Sequence, residues 1–270
     1  MGLPLKHGFF ASERPLVFAH RGGSALAPEN TLAAFDRGLA LGADGLELDV
    51  QLSRDGVVVV HHDLLLDRTT NLRGLVAQRT AEELSRADAG WHFQAEGQYP
   101  YRGHGCAVPT LAEVLARYPG VRVIIELKGS HPDLGRAVVD VIRAADAIER
   151  VCVGSFDLRG LQTVRALEPA LATSAARTET AWTLLRVWCG RSLGPTPFAG
   201  FQVPERSGRM RVVSPRFVAT AHRAGLGVQV WTVNQPETAH RLLGYGVDAL
   251  ITDRPDLLVP LCRRTHDSGR

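Results

Sequence analysis

Short apolar runs alternate along this chain with longer stretches whose apolar residues recur every three or four positions, the pattern of strands alternating with helices. The strands read as Leu16–Ala19, the run carrying Glu47 and Asp49, Val121–Leu127, Val151–Ser155, a weak Leu171–Ala175, Phe201–Val203, Gly227–Val233 and Asp248–Thr252. Helix signals follow each. Asn30 or Thr31 caps a helix with Leu32, Phe35 and Leu39 on one side, closed by Gly42. Thr110–Glu113 is a capping box, Asp133–Ala145 is periodic, and Asp157 caps a helix that stops near Pro169. Ala181–Val187 is helical, Ser214–Pro215 opens a helix ending at Gly225, Pro236 starts another, and Pro255–Cys262 closes the chain. Eight strand–helix pairs in roughly 250 residues predict a (β/α)8 barrel, with a doubly wound open sheet as the alternative. Barrels of this kind carry their sites at the C-terminal ends of the strands. His20, Glu47, Asp49, Glu126, Ser155 and Trp231 all stand at or near such ends.

One stretch breaks the rhythm. Two β-prone runs flank Asp55–Gly56, a strong hairpin signal. With Asp55 and Gly56 as the two turn residues, Arg54 pairs with Val57 and Asp49 falls opposite His62. Glu47, Asp49 and His62 then share one face, while His61 points away and reads as structural; a slip of one residue would exchange the two histidines. Carboxylates inside apolar strands are costly to bury alone. They mark either a solvated hairpin face or a hard-metal site with a histidine beside it. From Asp63 to about Val108 the chain is rich in Arg, Gly and aromatic residues, with one short helix at the Thr80–Glu83 capping box. Residues 1–270 therefore read as one barrel domain with an insertion at about 54–108.

Composition changes this picture little. Hydrophobic residues make up 45% and charged residues 22%, ordinary for a globular protein, and a net charge of +3 without a basic block argues against nucleic acid. The only lysines are Lys6 and Lys128, so a lysine standing next to a candidate site is informative. The four cysteines show no CxxC spacing, which excludes a disulfide framework or zinc cluster as an organising principle. Residues 1–12 lack the features of a signal peptide, and no apolar run approaches the ~20 residues of a membrane span. The expectation is a cytoplasmic protein without a stable membrane anchor; its oligomeric state is not legible.

The segments His20-Arg21-Gly22, Pro28-Glu29-Asn30-Thr31, Gly45-Leu46-Glu47-Leu48-Asp49-Val50, Val59-Val60-His61-His62-Asp63 and Arg68-Thr69-Thr70 stand in an order and spacing that resemble the glycerophosphodiester phosphodiesterase family. Glu126-Leu127-Lys128, Ser155-Phe156, Trp231-Thr232-Val233-Asn234 and Ile251-Thr252-Asp253 extend the resemblance to about Leu258, while 172–211 shows little that matches. The resemblance implies a barrel enzyme that cleaves small glycerophosphodiesters to glycerol 3-phosphate and an alcohol with a divalent metal.

The residues suit that chemistry. A phosphodiester gains negative charge in its pentacoordinate transition state, so catalysis needs cations on the non-bridging oxygens, a base for the nucleophile and an acid for the leaving alkoxide. Glu47, Asp49 and Glu126 are the metal candidates, as hard oxygen ligands better suited to Mg2+ or Ca2+ than to zinc, for which neither a Cys ligand nor a close His pair on a helix is present. His20 and His62 are the acid/base pair. Arg21 and Lys128 are expected on the phosphate, and Trp231 against the glycerol carbons. Glu29 and Asn30 are supporting residues; taken alone, Glu29 is an ion pair for Arg21 or a helix-dipole residue, and Asn30 an N-cap. Two other readings share the site. One is a lysophospholipase D-like phosphodiesterase using the 181–188 stretch as an apolar entrance, and the other a non-catalytic phosphate-metabolite binding protein.

Overall fold

The computed structural model describes residues 6–129 and 131–267. Its first half comprises β1 (Leu16–His20), α1 (Leu32–Ala40), β2 (Gly45–Leu52), β3 (Val58–Val60), α2 (Ala81–Ser85), α3 (Leu111–Arg117), β4 (Arg122–Leu127) and α4 (Leu134–Ala144). There follow β5 (Val151–Gly154), α5 (Leu158–Leu167), β6 (Ala172–Thr173), α6 (Arg177–Trp188), β7 (Gly200–Pro204) and the small pair β8 (Arg206–Ser207) and β9 (Met210–Arg211). The chain ends in α7 (Pro215–Arg223), β10 (Gly227–Trp231), α8 (Pro236–Gly244), β11 (Ala249–Thr252) and α9 (Pro255–Asp267), the last running beyond the expected Cys262.

Eight parallel staves lie in the order β6-β5-β4-β2-β1-β11-β10-β7, with β3 added to β2 as an antiparallel arm. The two ends meet: Ser174 bridges Gly200 in parallel, Ala175 N–H donates to Gly200 O at 2.9 Å, and Ala199 N–H donates to Thr173 O at 2.9 Å. That contact closes the cylinder and removes the open-sheet alternative. Closure is thinnest here because β6 is only two residues long, matching the weak apolar run in the sequence.

Alternation along each stave sorts side chains between the helices and the lumen. Leu46, Leu48 and Val50 of β2 pack outward with Val123 and Ile125 of β4 and the helices around them, while Phe18, Ile124, Cys152, Ala172, Ala249 and Ile251 fill the interior. The lower mouth is plugged by Phe9 and Phe10 on a 3-10 turn, both buried. The first twelve residues gave no sign of this role, since two aromatic residues carry no periodicity. Gly200 and Gly227 make room for the plug: a Cβ on Gly227 would stand 2.3 Å from the Phe10 ring. Gly227→Ala should therefore destabilise the fold by ~1–3 kcal/mol, the usual cost of overpacking, whereas Gly194→Ala, which meets nothing within 4 Å, should not. Urea denaturation of the two variants checks this.

Residues 64–108 wrap a small separate cluster, including Leu66, Val76, Leu84 and Val108, against Val59 of β3. The capping boxes at Thr80–Glu83 and Thr110–Glu113 form as their spacing predicts. No helix among the described residues is long and apolar enough to cross a membrane.

Candidate active site

The site grows from β2. Glu47 and Asp49, two residues apart, both face the lumen and are 4% and 1% exposed. Parallel pairing sets Asp49 beside Glu126 of β4 and His20 of β1 beside Glu47. One carboxylate oxygen from each of Glu47, Asp49 and Glu126 lies within 4.8 Å of the others. Burial, then repulsion from Asp49, pushes the Glu47 carboxyl up to about 8, against the pull of His20. Asp49 goes the other way: burial opposes its charge, but Lys128, Arg21, His62 and an Asn30 hydrogen bond together hold it below the usual carboxylate range.

His20 ends β1. Its Nδ1 lies 2.6 Å from Asp253 Oδ1, and its Nε2 3.8 Å from Glu47 Oε2. Asp253 is itself fixed, by Ser24 Oγ at 2.5 Å on Oδ1 and Asn234 Nδ2 at 2.7 Å on Oδ2. Burial would raise its pKa, yet the His20, Ser24 and Asn234 bonds lower it to about 2. For His20, burial disfavours the charged ring, but Glu47 and Asp253 outweigh it and raise the pKa. The Asp253 anchor was not singled out from sequence. Its signal was present, as a carboxylate directly after the last stave.

The hairpin differs from the sequence expectation. Ser53, and not Arg54, pairs with Val57: Ser53 N–H donates to Val57 O at 3.0 Å around a three-residue loop, with Gly56 at φ +78°. Such loops place glycine in the left-handed position of a bulge. The register therefore slips by one, through Val50–Val60, and His61 rather than His62 comes opposite Asp49, donating its backbone N–H to Asp49 O at 2.9 Å. Strand pairing then stops, and the alternation stops with it. The His61 ring is buried, bonded to Asp63 O at 2.8 Å and Thr69 Oγ1 at 3.1 Å. His62 still reaches the cavity, its Nδ1 held 2.6 Å from Asp63 Oδ1. Arg68 donates to the other Asp63 oxygen, which keeps that carboxylate well below its usual range despite partial burial.

The remaining candidates surround these. Arg21, at φ +51°, donates its backbone N–H to Glu47 Oε2 at 3.1 Å and Nη1 to Glu29 Oε1 at 3.0 Å, while Nε stands 3.2 Å from Asp49 Oδ2. Glu29 also takes both terminal nitrogens of Arg68 at 2.7 Å each, a bidentate pair. Asn30 is not the N-cap; Thr31 is, accepting from Ala34 N–H. Asn30 lies at φ +58° and turns its amide onto Asp49 Oδ2 at 2.9 Å. Lys128 Nζ donates to Glu126 Oε1 at 2.8 Å and sits 3.1 Å from Asp49 Oδ1, an ion-pair contact without hydrogen-bond geometry. Trp231 packs edge-to-face with Phe156 at 5.9 Å.

All of this opens into one cavity of about 730 Å³, lined by His20, Arg21, Glu47, His62, Glu126, Lys128 and Trp231 together with Phe156 and residues of α6 and β7–β9. Its acidic corner suits a divalent cation. Three carboxylate oxygens converge, Asp49 Oδ1 is buried without a hydrogen bond, and a cation would offset the burial and repulsion that push the Glu47 carboxyl up.

A family model described as the glycerophosphoryl diester phosphodiesterase family matches residues 20–257. The chain belongs to this family. It is accordingly a phosphoric diester hydrolase. A glycerophosphodiester phosphodiesterase of Caldanaerobacter subterraneus is 35% identical over 259 residues, covering 93% of this chain and 99% of that one. One from Bacillus altitudinis is 34% identical, covering 91% and 97%. Among solved structures, a phosphodiesterase of Oleispira antarctica in complex with the product sn-glycerol-3-phosphate superposes with a TM-score of 0.73 at 29% identity, covering 94% and 97%. A glycerophosphodiester phosphodiesterase of Agrobacterium tumefaciens also superposes with a TM-score of 0.73 at 29% identity, covering 90% and 98%.

Proposed function

We propose that this phosphodiesterase hydrolyses small glycerophosphodiesters to glycerol 3-phosphate and an alcohol, with one Mg2+ or Ca2+ held by Glu47, Asp49 and Glu126 and with His20 and His62 as its acid/base pair. The observation that carries the reading is the paired anchoring of the histidines. Each ring gives Nδ1 to a carboxylate, Asp253 or Asp63, which leaves Nε2 without a hydrogen-bond partner among the described residues. Both rings line the cavity that holds the acidic corner. A carboxylate on Nδ1 fixes the tautomer and steadies the imidazolium that forms when Nε2 takes a proton. One ring removes the proton of the attacking oxygen as its bond to phosphorus forms. The other delivers a proton to the alcohol oxygen as the second P–O bond breaks, so charge balances across the step.

When bound, the cation would neutralise non-bridging oxygens of the phosphoryl group. Arg21 and Lys128 add positive charge on the same side: Arg21 is clamped between Glu29 and Asp49, and Lys128 can leave its ion pair with Asp49 for a phosphate oxygen. Trp231 and Phe156 offer the glycerol carbons an apolar wall. Glu29 and Asn30 hold Arg21 and Asp49 in place. Residues 1–270 are taken as one barrel domain, with 54–108 as its insertion.

A lysophospholipid substrate is the second reading, favoured by the apolar lining from Phe156, Leu184, Met210 and Val212. Purified protein incubated with glycerophosphocholine, glycerophosphoethanolamine and lysophosphatidylcholine separates the two. Free glycerol 3-phosphate from the water-soluble diesters is the expected product. A strong preference for the lysolipid would move the assignment to the second reading, and inertness toward all three would contradict both.

A further inference from the structure

The region that least resembles any motif carries the most unusual surface. Residues 177–216 contain seven arginines against two glutamates, a net charge of +5, so the rest of a chain of net +3 is slightly negative. Both glutamates are committed elsewhere, Glu179 to Arg165 and Glu205 to Arg241. None of the seven arginines forms an ion pair among the described residues, although ion pairs are common over the rest of the surface.

Apolar residues share that surface. On α6, Trp182 is 64% exposed and Trp188 59%, with Leu185 between them also exposed. Trp182, Leu185 and Cys189 follow i, i+3, i+7 and Trp188 adjoins them, so they form one outward stripe. Arg177 and Arg186 flank it. Thr183, Leu184 and Val187 supply the opposite, buried face. The β8–β9 hairpin is exposed throughout; Arg206 and Met210 line the same cavity as the start of α6, while Arg209 and Arg211 stand outside it.

We propose that α6 and the β8–β9 hairpin form a docking face for anionic lipid bilayers, with the active-site cavity opening at its edge. Tryptophan at the headgroup level beside arginines that meet anionic lipid is the chemistry of a helix lying in the interface plane. A protein partner would call for a closed apolar patch with a polar rim; here Arg177 and Arg186, neither in an ion pair among the described residues, border the aromatic stripe on its two sides, which suits a fluid layer of negative headgroups. The face docks reversibly, since no helix among the described residues is long and apolar enough to cross the bilayer. The proposal goes beyond the hydrolytic reading and stands whichever diester is cleaved.

The test is co-sedimentation of the protein with vesicles of phosphatidylcholine alone and with phosphatidylglycerol added, at low and high salt. Binding to the anionic vesicles, weakened at least about tenfold by salt or by omission of phosphatidylglycerol, is expected. Trp182→Ser/Trp188→Ser and Arg209→Gln/Arg211→Gln should each lower vesicle binding by about tenfold or more. Both should cleave a water-soluble glycerophosphodiester at the wild-type rate, since none of these side chains lines the cavity. No binding to anionic vesicles, equal binding to neutral ones, or full binding by both double variants would overturn it. So would sedimentation showing that the tryptophans are buried in a stable dimer.

Discussion

Chelation should abolish turnover, and Mg2+ or Ca2+ should restore it; Asp49→Asn should lower turnover by about 10³-fold or more even with cation in excess. The size of the effect follows from the packing. Glu47 and Asp49 are nearly inaccessible to water, and Glu126 lies beside them across a parallel ladder. Like charges so close cannot all stay ionised unaided. Lys128 is the only neighbouring ammonium among the described residues, and it reaches just two of the three. The Asn30 amide holds Asp49 whether or not that side chain is charged, so Asp49→Asn should fold. Differential scanning fluorimetry checks the cause: added cation should raise the melting temperature of the wild type and not of the variant.

The same crowding sets a pH dependence with a definite sign. The Glu47 pKa is raised from 4.5 to about 8 by burial and by Asp49. Between these values the metal-free native state binds a proton that the unfolded chain has released, so its stability should fall as pH rises across the window. Cation binding should displace that proton below pH ~8 and release none above it, which calorimetry in buffers of different ionisation enthalpy can read.

The barrel was legible because eight apolar runs and the helices between them kept their period, and because Thr80, Thr110 and Asp157 carry caps that survive into the structure. The acidic corner was legible because carboxylates stand out inside apolar strands. The hairpin register was not. Asp55–Gly56 fits both a two-residue turn and the last two positions of a three-residue loop, and only backbone geometry chooses. His62 lines the cavity despite the slipped register, because strand pairing ends at His61 and the alternation ends with it. The sequence offers either Asn30 or Thr31 as the cap, and Thr31 takes that place; the left-handed backbone of Asn30 and its bond to a residue nineteen positions away are tertiary facts. The Phe9–Phe10 plug and the Asp253 anchor likewise depend on the closure of the cylinder, which no local pattern encodes.

His20→Ala and His62→Ala should each cost about 10²–10⁴-fold in turnover with cation binding retained, the usual worth of a general acid or base. Turnover should trace a bell against pH, one limb for loss of the base and the other for loss of the acid. With a nitrophenyl leaving group, loss of the acid should matter less than loss of the base, and that contrast assigns the two roles. His61→Ala should instead lower stability by about 1–3 kcal/mol, because it empties a buried bonding position beneath the site. The most direct measurement is release of glycerol 3-phosphate by the His20→Ala/His62→Ala double variant, folded and still stabilised by cation. Background hydrolysis is the predicted result, and turnover at the wild-type rate would contradict the account.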